Sequence, residues 1–273
     1  MVDQVNLTPV TQQVLKSLQR TSDHIDKTTD NIASGQKVNS ALDSPTAFFK
    51  AQGLNQRVGD LLAVKDDMSQ AMSTIEAASI GLRSLATTIE QMRAVVTGAR
   101  GGSAAERQSA AELFDQLGQQ LDSLASDARY SGVSLTSGSP DTLEVSINDN
   151  DGTLSISGTA ADSAGLGIGS AVTDFNGLAS DADIDAVLAQ LDGAATTIRA
   201  RERSFQTDVS VLSVREKFTQ GLNDVLGGGA DKLIAADLEE DAVNLLALQV
   251  RQNLGTASLT LVAEKNNAIA SLF

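Results

Sequence analysis

The sequence predicts a mainly α fold: elongated coiled-coil helical rods with a small β-hairpin, with the N- and C-termini paired. Apolar residues recur at steps of three and four over long stretches, which is typical of helices packed as coiled coils. Aromatic residues make up only 3% of the chain and Trp is absent, so aliphatic side chains must fill the core. Only one segment, between residues 131 and 180, has the alternating pattern of β-strands.

The C-terminal stretch 238–273 is the most informative part of the chain. Arg251 is the only charged residue between Ala242 and Ala263. Leu248 and Leu259 lie opposite a seam formed by Val243, Ala247, Val250, Leu254, Ala257 and Leu261. A helix that is apolar on every side must be buried on every side, yet a chain terminus is normally exposed. We therefore expect this helix to find neighbours in other copies of the chain.

A membrane span is the alternative interpretation of this stretch. Polar residues interrupt it too often for a span of about 20 apolar residues. They are Asn244, Gln249, Gln252, Asn253, Thr256 and Ser258.

The N-terminal stretch predicts a helix over about Leu7 to Ile32. Its seam consists of Leu7, Val14, Leu18, Ile25 and Ile32, with Thr11, Thr21 and Thr28 at the intervening steps. Threonine weakens such a seam, and an isolated helix is rarely stable in water, so this helix needs partners. Gly35 is the predicted stop.

A long helix is predicted from Pro45 to Gly98. Ser44 is its N-cap and Pro45 its first position. Its seam is Leu54, Val58, Leu61, Lys65, Met68, Met72, Ile75, Ser79, Leu82, Ala86, Ile89, Arg93 and Val96. At about 1.5 Å per residue this helix would be roughly 80 Å long.

A second helix is expected to return antiparallel over part of the first. Gly98, Gly101 and Gly102 end the long helix, and Ser103 with Glu106 matches a capping box. The same apolar spacing then continues through Ala110, Phe114, Leu117, Leu121, Leu124 and Ala128.

Residues 131–180 are rich in Ser, Thr, Gly and Asp. Leu143, Val145 and Ile147 alternate with polar residues, as do Leu154 and Ile156, and a turn is predicted at 149–152. The segment is too small for its own core, so we expect this β-hairpin to pack on the helices.

A second long apolar stripe runs from Ile184 to Val225, and Gly227–Gly229 is predicted to break it. The simplest closure pairs the two ends with each other and the two rods with each other. The predicted segments are the inner helical domain in two halves, 1–43 and 230–273, the outer helical rods, 44–130 and 181–229, and the hairpin insertion, 131–180.

Neither the composition nor the motifs of the chain predict a catalytic function. The chain has no Cys and one His, His24, so we predict no catalytic residues, no metal site and no cofactor. Residues 227–232 lack the spacing of a phosphate-binding loop, and residues 147–152 have Ile147 where a calcium loop needs a ligand. We predict that the protein is not an enzyme.

The net charge of the chain argues against some classes of binding partner. The net charge of −15 repels nucleic acids and anionic lipid surfaces, so we predict no nucleic-acid binding and no membrane insertion. Arg199, Arg201, Arg203 and Arg215, with Glu202 and Glu216, form a charged face that is predicted to be an outer or inter-subunit surface.

Both ends carry motifs that resemble the bacterial flagellins. Residues 31–41, Asn-Ile-Ala-Ser-Gly-Gln-Lys-Val-Asn-Ser-Ala, resemble the N-terminal flagellin signature. Leu248, Gln249, Gln252, Gly255, Leu259 and the closing Asn-Asn-Ala-Ile-Ala-Ser-Leu-Phe of 266–273 resemble the flagellin C-terminus. Residues 129–135 are similar to the family's F-N-G-x-x-L turn. The variable outer part of the family is reduced here to about 131–180, as in short, alphaproteobacterial-like members.

Two departures from the family pattern matter. Ser44, Pro45, Thr46, Ala47 and Phe48 stand where most flagellins have D-A-A-G-L. A nearby proline also occurs in the hook–filament junction protein, which is the alternative function. Glu90 to Val95 differ from the stretch that an innate-immune receptor reads in many flagellins, so the resemblance predicts weak receptor activation.

The resemblance implies a subunit that is exported unfolded by the flagellar type III apparatus and polymerises into the extracellular filament used for swimming. The N-terminus has no cleavable signal pattern, which agrees with that route. The implied partners are other flagellin subunits, an export chaperone, and the filament cap and junction proteins. The predicted subunit-interface residues are Leu7, Val14, Leu18, Ile25, Ile32, Val243, Val250, Leu254, Leu259, Leu261, Val262, Ile269 and Leu272. A coiled-coil adaptor is a third candidate, and it would be ordered in solution without seeds.

Overall fold

A computed structural model describes residues 9–150 and 152–270, without the side chains of 266–270. Its helices are α1 (Pro9–Ser34), α2 (Pro45–Gly98), α3 (Ala104–Asp127), α4 (Asp181–Ile234) and α5 (Leu238–Ala270). Between α3 and α4 lie the strands β1 (Arg129–Tyr130), β2 (Val133–Ser134), β3 (Thr142–Ser146) and β4 (Thr153–Ser157), and a 3₁₀ turn at Asn176–Leu178. The predicted mainly α fold with a small hairpin is confirmed.

The chain divides into two compact units. The terminal unit comprises Met1–Gln56 and Val225–Phe273, and the central unit comprises Arg57–Asp224. Helices α2 and α4 each contribute residues to both. The N- and C-terminal segments therefore belong to one unit, as predicted.

In the central unit, α2 and α4 run antiparallel. Arg93 is ion-paired with Asp192 and Arg100 with Asp185, while Lys65 Nζ donates to Gln220 Oε1 at 2.7 Å. Residue numbers rise along one helix as they fall along the other, which defines the antiparallel direction. The predicted pairing of the two rods is thus observed within this unit.

Helix α3 returns along α2. Its N-terminus has the predicted capping box: Ser103 Oγ accepts from Glu106 N, and the Glu106 carboxylate accepts from Ser103 N at 2.7 Å. Near its C-terminal end, Gly81 of α2 faces the Ala128 side chain so closely that a Cβ would collide with it. This glycine sets the approach of the two helices.

One apolar cluster fills the central unit. Helices α2, α3 and α4 supply residues such as Ile75, Leu82, Phe114 and Phe205, all with 1% or less of their surface exposed. The segment between α3 and α4 adds Leu135, Val145, Ile156, Ile168 and Leu178 to the same cluster. The insertion therefore packs on the helices, as its size required.

Two carboxylates on α3 hold the second half of this insertion. Asp115 accepts from Ser170 Oγ at 2.6 Å and from Ala171 N at 2.7 Å. Asp122 accepts from Ser163 N at 2.7 Å and from Ser163 Oγ at 3.0 Å. These bonds order a loop that has little regular structure of its own.

Strands β3 and β4 form the predicted antiparallel hairpin, with Val145 opposite Leu154. Asp149 in its turn accepts from Arg57 Nε of α2 at 2.6 Å. The short pair β1–β2 was not predicted, although its turn, with Ser131 and Gly132 at positive φ, lies within the segment that resembles the F-N-G-x-x-L turn.

One helix boundary was predicted wrongly. Helix α4 does not break at Gly227–Gly229 but continues to Ile234. Ala230, directly after the glycines, is fully buried, and a Cβ on Gly229 would lie 3.7 Å from Leu54 Cδ1 of α2. Packing within the terminal unit therefore outweighs the poor helix propensity of three glycines.

Candidate subunit interface

The ends of α1 and α4 are tied together by backbone hydrogen bonds. Lys37 N donates to Ile234 O at 2.7 Å, and Ala236 N donates to Gly35 O at 3.0 Å. Gly35 has a φ of +70°, a conformation that favours glycine and ends α1 as predicted. Helices α1 and α5 therefore leave from one point and run antiparallel beside each other.

Helix α1 presents its predicted seam to α5. Val14, Leu18, Ile25 and Ile32 are half-buried, and Thr21 and Thr28 between them are buried. The Thr21 hydroxyl donates to Ser17 O at 2.9 Å, so its burial leaves no donor unpaired. The other side of α1 carries the exposed charged residues Lys16, Arg20, Asp23, Asp26, Lys27 and Asp30.

Helix α5 uses a different seam from the one emphasised in its sequence. The half-buried residues on its inner side are Leu245, Leu248, Gln252, Gly255, Leu259 and Val262. At the centre of this side, a Cβ on Gly255 would lie 2.6 Å from Leu18 Cδ2. The absence of a side chain there lets the two helices approach closely.

The outer side of α5 is apolar and largely exposed, although Leu254 at its edge also lines a groove with Val14 and Leu18 of α1. Val243, Leu246, Val250, Leu254 and Leu261 recur at steps of three, four or seven, with between 51% and 69% of each side chain's surface exposed. We call these five residues the α5 outer stripe. Since α1 has a charged outer side and α5 an apolar one, the exposed apolar surface of this helix pair lies mainly on α5.

The predicted interface residues separate into two groups. Those that pack between α1 and α5 are Val14, Leu18, Ile25, Ile32, Leu259 and Val262, and those that remain exposed are Val243, Val250, Leu254 and Leu261. Leu7, Leu272 and the Ile269 side chain lie outside the described residues. Leu246, which is not among the predicted interface residues, is also exposed, and its position three residues after Val243 places both on one helix face.

The loop between α1 and α2 is held by Asp43. Its carboxylate accepts from Asn39 N at 3.2 Å and from Ser40 N and Ser40 Oγ at 3.0 Å each, and Lys27 Nζ lies 3.5 Å away. The Ser40 hydroxyl is the main cause that lowers the pKa of Asp43, with smaller contributions from the backbone donors and Lys27. Leu42, beside this ordered turn, is 95% exposed.

The structure describes no chemical centre to set beside this surface. His24 is exposed, and no group of three or more His, Cys, Asp or Glu residues is placed to hold a metal within the described part of the chain. Among the described helices, none combines the length and apolarity needed to cross a membrane.

Comparison with known proteins supports a filament subunit. Residues 5–141 match the family model of the bacterial flagellin N-terminal helical region. Over 261 residues the chain is 26% identical to flagellin FljM of Caulobacter vibrioides, covering 95% of this chain and 94% of FljM. A Brucella melitensis flagellin is 21% identical, with 95% of each chain covered. A Bacillus cereus flagellin structure aligns with a TM-score of 0.48 and 19% identity over 56% of this chain and 88% of that one.

The fold and the open helix face define a mainly helical structural protein. The family match covers half of the chain, and the Caulobacter and Brucella relatives align along nearly its whole length. The chain belongs to the bacterial flagellins and is a structural subunit of the flagellar filament. Nothing in these matches favours the hook–filament junction protein over this function.

Proposed function

We propose that the α5 outer stripe is the main contact through which the terminal unit joins neighbouring subunits. The observation that carries this proposal is the exposure of five large aliphatic side chains on one side of a helix whose other side already packs on α1. In this arrangement α1 and α5, the latter with Val262 and Ile269, form the inner layer of the filament. The long helices form the layer around it.

The free energy gained by burying these side chains supports assembly through this surface. Burying a Val or Leu side chain fully contributes about 1.5–3 kcal/mol. Each residue of the α5 outer stripe has at least 51% of its surface still to bury, so each contributes on the order of 1 kcal/mol or more. A contact that joins different faces of successive copies produces a helical polymer when the rotation between copies does not close a ring.

The test is seeded growth. Val250→Ser with Leu254→Ser should leave the unfolding midpoint of the monomer almost unchanged, because both side chains are exposed. Elongation from filament fragments, followed by light scattering and electron microscopy, should fall below detection. Gln249→Ser with Thr256→Ser, on exposed positions that share a face outside the stripe, is the matched control and should elongate normally. Normal filaments from the Val250/Leu254 variant would contradict the proposal.

A truncation provides a second test of the same surface. Deleting Leu254 onwards removes two of the five residues of the α5 outer stripe, Leu254 and Leu261, together with the Gly255–Leu18 contact. The truncated protein should be soluble and should not polymerise. Normal filaments formed by it would show that this part of α5 is dispensable.

The remaining expectations follow from family membership. We propose that the chain is exported unfolded through the flagellar type III apparatus and is secreted to the extracellular filament. We also propose that its other partners are a chaperone, a cap and junction proteins. A third proposal is that the protein has no enzymatic activity. Export is tested by measuring the protein in the medium of cells that have hooks, with and without a functional export apparatus. Equal amounts in both media would contradict this route.

A further inference from the structure

The outer side of α4 in the central unit combines cations with exposed apolar residues. Arg199, Arg203, Ser210, Val214 and Lys217 share one face of the helix and are exposed. Val211 and Phe218 lie on either side of Val214 in the sequence. Val211 is 42% exposed, Val214 is 68% exposed and Phe218 is 63% exposed. We call this surface the α4 basic face.

The acidic residues of the same segment are less exposed than these cations, although Glu202 lies only three residues after Arg199. Glu202, Asp208 and Glu216 are all half-buried, and burial raises the pKa of Asp208. No ion pair among the described residues involves Arg199, Arg203 or Lys217. In a chain with a net charge of −15, this face therefore presents exposed cations that form no ion pair among the described residues.

Helix α2 carries the complementary surface. Leu62, Asp66, Ser69, Ser73, Glu76 and Ile80 follow one another at alternating steps of four and three, and all but the half-buried Ser73 are exposed. Leu62 and Ile80 are 46% and 55% exposed, and neither acid forms an ion pair among the described residues. The stripe ends before Arg83, whose Nε donates to Ser79 O. We call it the α2 acidic face.

These two faces cannot meet within one copy. Inside the central unit, α2 and α4 meet through their buried sides, which include Met68, Ile75, Leu82, Phe205 and Leu212. The α4 basic face and the α2 acidic face are both on the solvent side of that cluster. Each is therefore available only to another molecule.

We propose that the α4 basic face of one subunit docks on the α2 acidic face of the next. At about 1.5 Å per residue, Arg203 and Lys217 lie about 21 Å apart along α4, and Asp66 and Glu76 about 15 Å apart along α2. The difference is within the reach of the long Arg and Lys side chains. Apolar residues and small Ser side chains on both faces allow close contact between these charges.

This inference rests on the proposed polymerisation and names a second contact for it, distinct from the α5 outer stripe. Because the two faces differ, the contact is heterologous and can repeat from copy to copy along a filament. It also sets opposite charges against each other where strongly acidic subunits must come together.

Charge reversal tests the docking. Arg203→Glu with Lys217→Glu, and separately Asp66→Lys with Glu76→Lys, should each slow elongation from wild-type seeds at least about tenfold, because like charges then face each other. The variant with all four changes should form filaments again from seeds of its own kind, since its two faces are complementary. Asp60→Lys with Asp67→Lys changes the net charge equally but lies outside the α2 acidic face, so it should elongate as wild type does.

Crosslinking gives a readout that does not depend on rate. The chain has no Cys, so Ser69→Cys with Ser210→Cys places the only thiols near the centres of the two faces. A short bis-maleimide added to filaments should produce a ladder of covalent oligomers, whereas either single substitution should not give a ladder. Circular dichroism of each monomer confirms that the fold is retained.

The outcomes separate this contact from polymerisation itself. If wild-type protein does not elongate on its seeds, the proposed function fails. If it elongates, but the reversed variants elongate equally well and the Ser69/Ser210 double-cysteine variant gives no ladder, only the docking of these two faces is wrong.

Discussion

At the scale of single residues, the close approaches of helices depend on glycines. Gly255 lies against Leu18, and Gly81 lies against Ala128. Both glycines sit inside helices, where glycine costs up to about 1 kcal/mol relative to alanine. The contacts around them supply the reason for their presence. Other helical glycines, such as Gly228, have no atom within 4 Å of where a Cβ would be.

Gly255→Ala should weaken the pairing of α1 with α5. The added Cβ would lie 2.6 Å from Leu18 Cδ2, so Leu18 must change rotamer or the helices must separate. We expect a cost of about 1–3 kcal/mol for such overpacking. The measurements are amide hydrogen exchange in α1 and α5 of the monomer, which should be faster, and elongation on seeds, which should be slower. Both changes would follow from weaker packing in the terminal unit.

The control for this substitution is Gly228→Ala. That position is helical, exposed and uncrowded, so alanine should stabilise it by about 0.5–1 kcal/mol. If Gly255→Ala stabilised the protein in the same way, the close approach of α5 to Leu18 would have no energetic role.

At this scale the sequence predicted which residues form apolar seams, but it did not predict which neighbour each seam contacts. The α1 seam was predicted from the helical spacing of its apolar residues, and the structure shows that the opposite side of α1 is charged and exposed. Helix α5 is apolar on two sides, so periodicity could not say which side faces α1 and which faces solvent. Gly255 lies on the side of α5 that faces α1, but this can be recognised only from its contact with Leu18 in the folded helix pair.

At the scale of elements, helix starts are set by local chemistry and were predictable. Ser103 with Glu106 forms the predicted capping box at α3. The start of α4 has an equivalent arrangement: the Asp183 carboxylate accepts from Ser180 N and Ser180 Oγ, and Asp183 N donates to Ser180 Oγ. The end of α4 was not predictable, since it depends on the burial of Ala230 and on the contact of Gly229 with Leu54.

The α3 capping box should make a measurable and pH-dependent contribution. Ser103→Ala removes the side-chain acceptor for Glu106 N and should lower the free energy of unfolding by about 1 kcal/mol. Urea denaturation measures this cost. Ser109→Ala, whose hydroxyl bonds only the Ala105 carbonyl within the same helix, is the control and should change little.

The charge of Glu106 gives the pH dependence. The backbone donor of Ser103, followed by its hydroxyl, lowers the pKa of Glu106 below its usual 4.5. A carboxyl with a lowered pKa in the folded state stabilises fully above its unfolded pKa and loses that contribution as pH falls through the folded value. The difference in stability between wild type and Glu106→Gln should therefore be largest near neutral pH and should shrink as pH falls below 4.5 and through the lowered folded pKa. A difference that did not shrink on acidification would contradict this origin.

At the scale of the whole molecule, burial is divided unequally between the two units. The apolar cluster of the central unit runs from Val64 to Leu212. In the terminal unit, only Val38, Ala51 and Ala230 are buried apolar residues among those described. Composition and periodicity predicted that the ends would be incomplete alone. They also predicted that the two ends pair with each other, but not the backbone hydrogen bonds near Gly35 and Ile234 that join them.

This imbalance predicts two levels of protection from hydrogen exchange. In the monomer, amides of α1 and α5 should exchange orders of magnitude faster than those of α2 near Leu82, because local opening of the terminal unit exposes little buried apolar surface. In the filament, α1 and α5 should become as protected as the central unit, since neighbouring subunits then cover the α5 outer stripe. Exchange followed by mass spectrometry in both states measures this directly. Equal protection of α5 and α2 in the dilute monomer would mean that the terminal helices are already stable alone and that assembly does not complete them.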